Sequence, residues 1–340
     1  MTTPSSRAEP ILVAGAGGFI GGWLVRRLQE EGFTTLRAVD NKPMSDWYQV
    51  LPGVESLVAD LRSLDECRAA LQGVRHVYNL ACDMGGMGFI EANRAACMMS
   101  VLINTHLLMA GQEAGVERHF YASSACIYNV ELQRAPEVTA LREGDAYPAM
   151  PEDGYGWEKL FSERMCRHFY EDFGVETRVA RYHNVYGPHG TYDGGREKAP
   201  AAICRKVARA RLEGLDEIEV WGDGEQTRSF MYIDDCLYGT LRIMDSDIRE
   251  PINLGSSELV SINQLVDIVE EIAGVRLRRR HNVDAPKGVR GRNSNNALIK
   301  ECLDWEPSTT LAVGLERTYA WIYDELKASN RAAQRAVASV

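Results

Sequence analysis

The sequence lacks the features that mark secreted, membrane-spanning and nucleic-acid-binding proteins. It has 48 acidic residues against 38 Lys and Arg, which gives a formal net charge of −10. A nucleic acid or an anionic membrane would favour a basic surface, so we expect neither as a partner. No stretch reaches the roughly 18 consecutive apolar residues of a membrane span. The polar residues 1–10 contain no apolar core of a signal peptide.

Disulfide and metal-site patterns are missing as well. The eight cysteines are scattered along the chain without a CxxC pair, so we expect reduced, mostly buried thiols and a cytoplasmic location. No cluster of His, Cys and Asp has metal-ligand spacing, so no metal is predicted. The 340 residues, 45% of them hydrophobic, suffice for one large domain or two interleaved ones.

Short apolar runs alternate with amphipathic stretches over the first half of the chain. The runs predict strands at residues 11–14, 36–39, 56–58, 76–80, 118–122 and 177–181. Helices are predicted between them at residues 19–31, 64–72, 90–114 and 155–173. This alternation predicts an α/β fold, a doubly wound parallel (Rossmann) sheet with helices on both faces, over residues 1–182.

The second half of the chain is less regular. It predicts helices at 199–213, 262–273, 297–303 and 311–327, strands at 218–220 and 230–233, and a helix capped by Asp234. We expect a smaller C-terminal α/β substrate domain over residues 183–329, partly interleaved with the first and closing over the carboxyl ends of its strands. The Ala- and Arg-rich residues 330–340 are expected to fray.

A glycine-rich turn follows the first predicted strand. Gly15 suits a tight turn, Gly18 lets a pyrophosphate approach the backbone, and Gly21 lets helix and strand pack closely. The helix N-terminus at Phe19 and Ile20 supplies free N–H groups and a positive dipole end. An ordinary flexible turn would show the same glycines, but the place of this one between strand and helix predicts a dinucleotide site.

Two acidic residues at strand ends refine the cofactor prediction. The Asp40 carboxylate can accept hydrogen bonds from ribose hydroxyls and repel a 2′-phosphate, which favours NAD over NADP. Lys42 lies close enough to leave that choice open. Asp60 suits the adenine amino group, or equally the N-cap of the helix at 64–72.

Tyr155 and Lys159 form a YxxxK pair, whose side chains share one helix face. A nearby ammonium lowers the pKa of a phenol, so Tyr155 can take a proton from a sugar hydroxyl as hydride leaves for NAD. Tyr323 and Lys327 have the same spacing near the C-terminus, which we interpret as coincidence. Ser124, at the end of a predicted strand, completes a Ser/Tyr/Lys triad.

The glycine-rich turn and the triad resemble those of the extended short-chain dehydrogenase/reductase superfamily, whose epimerases and dehydratases act on nucleotide sugars. Within its NAD-dependent epimerase/dehydratase family, the closer resemblance is to the GDP-mannose 3,5-epimerases. The segments that carry it span nearly the whole chain: Asp83-Met-Gly-Gly-Met-Gly-Phe-Ile90, Ser123-Ser-Ala-Cys-Ile-Tyr128, Tyr182-His-Asn-Val-Tyr-Gly-Pro188, Gly194-Gly-Arg-Glu-Lys-Ala-Pro-Ala201, Trp221-Gly-Asp-Gly-Glu-Gln-Thr-Arg-Ser-Phe230 and Gly288-Val-Arg-Gly-Arg-Asn-Ser294.

The resemblance implies a mechanism: oxidation at C4 by NAD, inversion at C5 and C3, and reduction by the retained NADH. The products would be GDP-L-galactose, GDP-L-gulose or both. A ketone at C4 acidifies the protons on C3 and C5, so each inversion needs a base on one face and an acid on the other. Cys126 is the candidate base, as a thiolate near a cation. Lys198 resembles the opposing acid, with a solvated loop charge as the alternative.

Further substrate contacts and the assembly are also implied by the resemblance. Gly86 would let the sugar approach the backbone, and Asn184 suits a sugar or phosphate. Candidates for the diphosphate, with solvated surface charge as the alternative, are Lys206, Arg228, Arg290 and Arg292. The remaining expected contacts are Ser124, Ala125, Cys126, Glu197, Lys198, Ala199 and the nucleotide-contacting turn Gly222, Asp223 and Gly224. The stretches 90–114 and 155–173 should form a four-helix homodimer interface.

Two other functions stay open. A single-centre 4-epimerase or dehydratase acting on another nucleotide sugar would leave Cys126 and Lys198 unexplained. An NAD-sensing scaffold of the same fold would leave the complete triad unexplained. Cys82, next to Asp83, is a second thiol beside the glycine-rich loop at residues 85–88, which we expect to contact the sugar and call the sugar loop.

Overall fold

The computed structural model describes residues 7–338, with side chains as far as Arg331. Its strands are β1 (Ile11–Ala14), β2 (Leu36–Asp40), β3 (Glu55–Val58), β4 (His76–Asn79), β5 (Arg118–Ser124), β6 (Glu176–Tyr182), β7 (Val185–Tyr186), β8 (Glu217–Trp221), β9 (Thr227–Ser229), β10 (Met231–Tyr232), β11 (Ile252–Leu254), β12 (Leu259–Ser261), β13 (Arg278–Asn282) and β14 (Gly291–Arg292). Its helices are α1 (Phe19–Glu30), α2 (Leu64–Ala70), α3 (Met87–Ala92), α4 (Arg94–Met98), α5 (Val101–Ala114), α6 (Asp153–Phe173), α7 (Ala199–Glu213), α8 (Ile233–Asp245), α9 (Ile262–Ala273), α10 (Ala297–Leu303) and α11 (Leu311–Ala338).

The central sheet has seven strands in the order β11-β6-β5-β4-β1-β2-β3, and all neighbours run parallel. Alternate residues of β1 point to opposite faces. Ile11 and Val13 pack into a cluster with α1 and α8, whereas Leu12 and Ala14 pack with α2 and α5. The predicted doubly wound parallel sheet is therefore confirmed. Its strand order reverses between β1 and β4, where ligands bind in such sheets.

The seventh strand was not predicted from the sequence. β11 is only three residues long and carries a polar residue, Asn253, at its centre. Asn253 is fully buried, because its side-chain amide donates to the Leu141 carbonyl and accepts from the Tyr128 hydroxyl. A polar residue with buried partners gives no apolar run, so the strand has no signal in the sequence pattern.

The single helix predicted at 90–114 is three helices. The side-chain amide of Asn93 donates to the Phe89 carbonyl at 2.8 Å, which ends α3, because such local bonds compete with the helix. Ser100 precedes α5 and accepts a hydrogen bond from the backbone N–H of Asp83 at 2.9 Å. The prediction of Asp234 as an N-cap was also wrong. Tyr232 occupies that position, and Asp234 lies in the first turn of α8.

The remaining strands form small sheets beside the central one: β7 with β10, β8 with β13, and β9 between β12 and β14. Helices α7, α9 and α11 pack against one another. The last helix continues to Ala338, beyond the point where fraying was expected, and residues 339–340 of that tail lie outside the described part.

One helical stretch is apolar enough to cross a membrane by length and composition alone. It covers Arg94–Ala114, has a mean hydropathy of 1.2 and is 39% buried. A core helix of a globular protein passes the same test, and α5 packs against α2 and α6. The stretch is therefore weak evidence for a membrane span.

Candidate active site

A cavity of about 580 Å³ opens where the parallel strands end. β1, β2, β4 and β5 all deliver residues to it, because the carboxyl ends of parallel strands meet at one edge of the sheet. Its wall includes these residues predicted from the sequence: Gly15, Gly18, Phe19, Ile20, Gly21, Asp40, Asp60, Ser124, Tyr155, Lys159 and Lys198. The predicted cofactor residues and most of the predicted catalytic residues thus share one cavity.

The glycine-rich turn is shaped for a closely approaching diphosphate. Gly15 has a φ of 82°, a left-handed conformation that glycine adopts readily. A Cβ on Gly21 would overlap the carbonyl oxygen of Gly15, so helix and turn could not pack with a larger residue. Gly18 precedes α1 and has no side chain to cap it, and the first N–H groups of a helix have no partners within it. The turn therefore fits the dinucleotide expected there.

The carboxylates at the ends of β2 and β3 are both held in place. Asp40 accepts hydrogen bonds from the backbone N–H groups of Gly17 and Lys42, each at 3.1 Å. Asp60 binds the guanidinium of Arg62 through both oxygens, and this hydrogen bonding lowers the pKa of Asp60. The alternative role of Asp60 as an N-cap is excluded, because Ser63 caps α2 and accepts from the Glu66 N–H.

The triad residues lie together, with Tyr155 and Lys159 buried and Ser124 half-buried. Tyr155 is 4% exposed and Lys159 2%. The Ser124 hydroxyl hydrogen bonds to Tyr155 and also accepts from the backbone N–H of Cys126 at 3.2 Å. The Lys159 ammonium donates to the Ala122 carbonyl at 3.0 Å and lies 5.7 Å from the centre of the Tyr155 ring.

Burial dominates the protonation of the phenol. It raises the pKa of Tyr155 well above its ordinary value, the nearby thiols of Cys82 and Cys126 raise that pKa further, and the hydrogen bond with Ser124 lowers it. The expectation that the Lys159 ammonium holds this pKa down is thus not met in the protein alone, since the ammonium is directed at a carbonyl.

Cys126 follows β5 and lies beside a buried guanidinium. Nη1 of Arg292 donates to the sulfur of Cys126 at 3.4 Å. Nη2 of the same guanidinium donates to Glu152 at 2.6 Å, and its Nε donates to Gln133 at 2.6 Å. Arg292 is 4% exposed. The structure therefore supplies the cation that a thiolate at this position would need, from a residue that the sequence had offered as a diphosphate contact.

Lys198 occupies the N-cap position of α7 and lines the cavity. Burial lowers its pKa, an effect that Cys126 and Cys82 partly oppose. For Lys159 burial acts in the same direction, but Cys82 and Glu158 outweigh it and the pKa of Lys159 is raised. Lys159 and Lys198 therefore differ in how readily they release a proton.

Two of the resemblance segments meet at the sugar loop. The N–H of Gly86 donates to the Arg196 carbonyl at 3.0 Å, and a Cβ on Gly86 would lie 2.5 Å from the Glu197 carbonyl oxygen. The guanidinium of Arg196 binds Asp83 at 2.7 Å and lies over the Phe89 ring. The Glu197 carboxylate accepts hydrogen bonds from the Gly195 N–H and from Arg205 of α7.

The predicted nucleotide and diphosphate residues lie outside the lining of this cavity. Lys206 donates to the Glu219 carbonyl and lies 5.8 Å from the centre of the Trp221 ring. The Arg228 guanidinium is directed at backbone carbonyls, including that of Val289 at 2.5 Å. Arg290 pairs with Asp223, in the turn where Gly222 and Gly224 each have a φ of 78°. The side-chain amide of Asn184 donates to the Ser229 carbonyl. Ala125 follows Ser124 directly, and Ala199 is the first residue of α7.

Three residues at the site were not predicted in their structural roles. Cys82 lines the cavity and hydrogen bonds to Tyr155, and its position next to Asp83 was the signal available. Arg196 ties two segments together, but its role was hidden because its partner lies 113 residues away. Glu152 binds Arg292 across 140 residues, and an isolated carboxylate before a helix carries no recognisable pattern.

Comparison with known proteins supports the resemblance. The model of the NAD dependent epimerase/dehydratase family matches residues 11–255. GDP-mannose 3,5-epimerase 1 of Oryza sativa subsp. japonica is 48% identical over 325 residues, which are 95% of this chain and 84% of that protein. GDP-mannose 3,5-epimerase of Arabidopsis thaliana is 46% identical over 318 residues, which are 93% of this chain and 83% of that protein.

Solved structures share the fold. The UDP-glucose 4-epimerase of Thermotoga maritima, with UDP-glucose, superposes with a TM-score of 0.83 at 24% identity, over 93% of this chain and 99% of that one. MoeE5 in complex with UDP-glucose and NAD gives a TM-score of 0.77 at 28% identity over the same shares. The chain belongs to the NAD-dependent epimerase/dehydratase family and, within it, to the family of GDP-mannose 3,5-epimerases.

Proposed function

We propose that this protein epimerises GDP-mannose at C3 and C5 through a transient 4-keto sugar, yielding GDP-L-galactose, GDP-L-gulose or both. The observation that carries the proposal is that one site combines two sets of proton-transfer groups. Ser124, Tyr155 and Lys159 suit oxidation at C4, whereas Cys126 and Lys198 lie beside them and are not needed for that step. A single-centre 4-epimerase would have no use for the second set.

The cofactor of the family is NAD, which when bound accepts a hydride from C4 and returns it. To take the proton of the C4 hydroxyl, Tyr155 must first be ionised to its phenolate, and the Ser124 hydroxyl orients the phenol oxygen by its hydrogen bond. The raised pKa of Lys159 keeps its side chain an ammonium, anchored on the Ala122 carbonyl. This charge stabilises the phenolate before the transfer, and the proton from the sugar then converts it to a neutral phenol.

Cys126 and Lys198 act on the carbons next to the ketone. The Arg292 guanidinium, 3.4 Å from the Cys126 sulfur, stabilises the thiolate that removes a proton from C5 or C3. Lys198 returns a proton on the opposite face, and its lowered pKa makes the exchange of that proton easier than for an exposed lysine. We accordingly assign Arg292 to Cys126 rather than to the diphosphate.

The nucleotide end of the substrate is assigned to the second half of the chain. Lys206, Arg228 and Arg290 remain our candidates for the diphosphate, near the turn formed by Gly222, Asp223 and Gly224. Residues 1–182 serve as the NAD domain and 183–329 as the substrate domain, to which residues 330–340 are an appendage. We further infer a homodimer and, from the eight free thiols, a cytoplasmic location, with neither nucleic acid nor membrane as a partner.

Exchange in D₂O tests the division of roles. The unmutated protein should place deuterium at C3 and C5 of recovered GDP-mannose and leave C4 unlabelled, because the hydride stays on the cofactor. Cys126→Ala should abolish exchange while still forming NADH in single-turnover absorbance. Tyr155→Phe should suppress both, since no ketone forms. Each of these acid–base groups should contribute about 10²–10⁴-fold to the rate of its own step.

Matched controls are available within the chain. Cys302→Ala removes an exposed thiol, and Tyr323→Phe alters the other tyrosine with YxxxK spacing, which lies in α11. Both variants should exchange deuterium at the unmutated rate. Near-normal exchange in Cys126→Ala would move the base elsewhere, with Cys82 the first place to look. Isomerisation of UDP-sugars but not of GDP-mannose, followed by NMR, would refute the proposed substrate.

A further inference from the structure

Glu152 stands where the two sets of proton-transfer groups meet. It immediately precedes α6, three residues before Tyr155, and is buried. Its backbone N–H donates to the Cys126 carbonyl at 3.0 Å, and its carboxylate accepts from the Val289 N–H at 3.3 Å. The side chain makes no capping bond to α6, so helix capping does not explain a buried carboxylate at this position.

The principal partner of this carboxylate is Arg292. The two side chains form an ion pair of 2.6 Å and are only 10% and 5% exposed. The side-chain oxygen of Gln133 accepts a hydrogen bond from Nε of the same guanidinium at 2.6 Å, and this bond fixes the plane of the guanidinium. The remaining nitrogen, Nη1, is thereby directed at the Cys126 sulfur, 3.4 Å away. Glu152 and Gln133 together aim the guanidinium at the thiol.

Three cationic side chains and the Glu152 carboxylate surround this sulfur. Arg228 lies opposite Arg292 in the pairing of β9 with β14, and burial together with the charge of Arg292 lowers the pKa of Arg228 to about 10. Burial raises the pKa of Glu152, but the charge and hydrogen bond of Arg292 outweigh it, so Glu152 is ionised. Lys198 approaches Cys126 from α7. Without the charge of Glu152, the net positive charge of the side chains around the sulfur would be one unit larger.

We propose that Glu152 is a positioning residue: it holds Arg292 against Cys126 and limits how strongly the guanidinium favours the thiolate. The proposal rests on the assignment of Cys126 as the base of the proposed function. That base must be ionised to remove a proton from carbon, but a thiolate held too tightly by positive charge is a weak base. The negative charge of Glu152 sets the balance between these two needs.

Glu152→Gln tests this, because the amide keeps the acceptor and the shape but loses the charge. Loss of one negative charge near a thiol favours its thiolate, typically by about tenfold, and makes that thiolate about threefold less nucleophilic. Alkylation of Cys126 by iodoacetamide at pH 7, followed by peptide mass spectrometry, should therefore be about threefold faster. Deuterium exchange at high pH, where ionisation no longer limits the rate, should be about threefold slower.

The pH dependence of alkylation separates positioning from damage. At high pH, where the thiol is fully ionised, Cys126 in Glu152→Gln should be alkylated about threefold more slowly, whereas a loosened site would be alkylated faster at every pH. Glu131→Gln removes a carboxylate that pairs with exposed Arg134, and it should change neither rate. The exposed thiol of Cys302 serves as the internal reference in every sample. Unchanged or slower alkylation of Cys126 in Glu152→Gln would overturn the proposal.

A second variant covers the case in which the single one does not fold. The double change Glu152→Gln and Arg292→Gln removes both buried charges together, which is better tolerated than leaving one unpaired. Cys126 should then be alkylated several-fold more slowly than in the unmutated protein, and an equal rate would contradict the role of Arg292. If the unmutated protein shows no exchange with GDP-mannose, the proposed function fails, whereas alkylation still decides the role of Glu152.

Discussion

At the scale of single residues, the surroundings give different roles to two lysines that line one cavity, Lys159 and Lys198. Lys159 lies among Cys82 and Glu158, whose negative charge when ionised outweighs burial and raises the pKa of this lysine. Burial lowers the pKa of Lys198, because Cys126 and Cys82 oppose it only in part. An ammonium that stays charged is suited to electrostatic support, and one that releases its proton more readily is suited to acid–base exchange. The same residue type thus serves two purposes.

Cofactor choice also belongs to this scale. The Asp40 carboxylate is held by two backbone N–H groups and lines the cavity together with Lys42 and Arg62. We expect Asp40→Ala to remove the repulsion of a 2′-phosphate and to leave both cations free to attract it. The preference for NAD over NADP should fall roughly tenfold or more. Dissociation constants for both cofactors, measured by fluorescence titration, check this.

Asp46→Ala is the control for that measurement, because Asp46 lies in the following turn and is not part of the cavity lining. It should retain the NAD preference. Equal affinity of the unmutated protein for NAD and NADP would defeat the role assigned to Asp40.

At the scale of elements, α4, α5 and α6 lie side by side and leave large apolar side chains exposed. Met98 is 46% exposed, Met109 37%, Trp157 45% and Phe161 53%. Side chains of this size on one set of packed helices suit a second copy of the chain, as proposed above. A dimer would have a mass of about 76 kDa, twice the 37.9 kDa of one chain.

Phe161→Glu should therefore give monomers. A charge buried at such an interface costs roughly 3 kcal/mol, which weakens association more than a hundredfold. Light scattering at micromolar concentration checks the mass, and Leu215→Glu, a change at a 52% exposed leucine beyond α7, should leave it unchanged. A mass of one chain for the unmutated protein would contradict the proposed dimer.

The helices and strands also show how much of the fold can be predicted from the sequence. Long periodic stretches such as α7 and α9 were predicted to the residue, because their apolar faces repeat over several turns. Two- and three-residue strands such as β7 and β11 were missed, since so few residues show no period. The glycine-rich turn and the triad are local patterns and could be found in the same way. The contacts of Arg292 with Glu152 and Cys126 join distant segments, and only the folded chain brings them together.

At the scale of the whole molecule, two histidines in the interior connect stability to pH. His119 and His183 are at most 1% exposed, and burial lowers the pKa of each to about 3. Each Nε2 lies within hydrogen-bonding distance of a buried asparagine oxygen, His119 with Asn104 and His183 with Asn253. Both rings are therefore neutral in the folded chain, whereas in the unfolded chain they take up protons below a pH of about 6.5.

The sign of the effect follows from this difference. Below a pH of about 6.5 the unfolded chain binds more protons than the folded one, so the free energy of unfolding falls as the pH falls toward 3. Each histidine contributes about 1.4 kcal/mol per pH unit, or about 2 kcal/mol between pH 6.5 and pH 5. Urea unfolding at pH 7 and pH 5 should show His183→Gln losing about 2 kcal/mol less than the unmutated protein, because the amide cannot titrate. His281→Gln, on the exposed strand β13, should lose as much as the unmutated protein. An unchanged difference between the two pH values in His183→Gln would mean that this histidine is not held neutral in the folded chain.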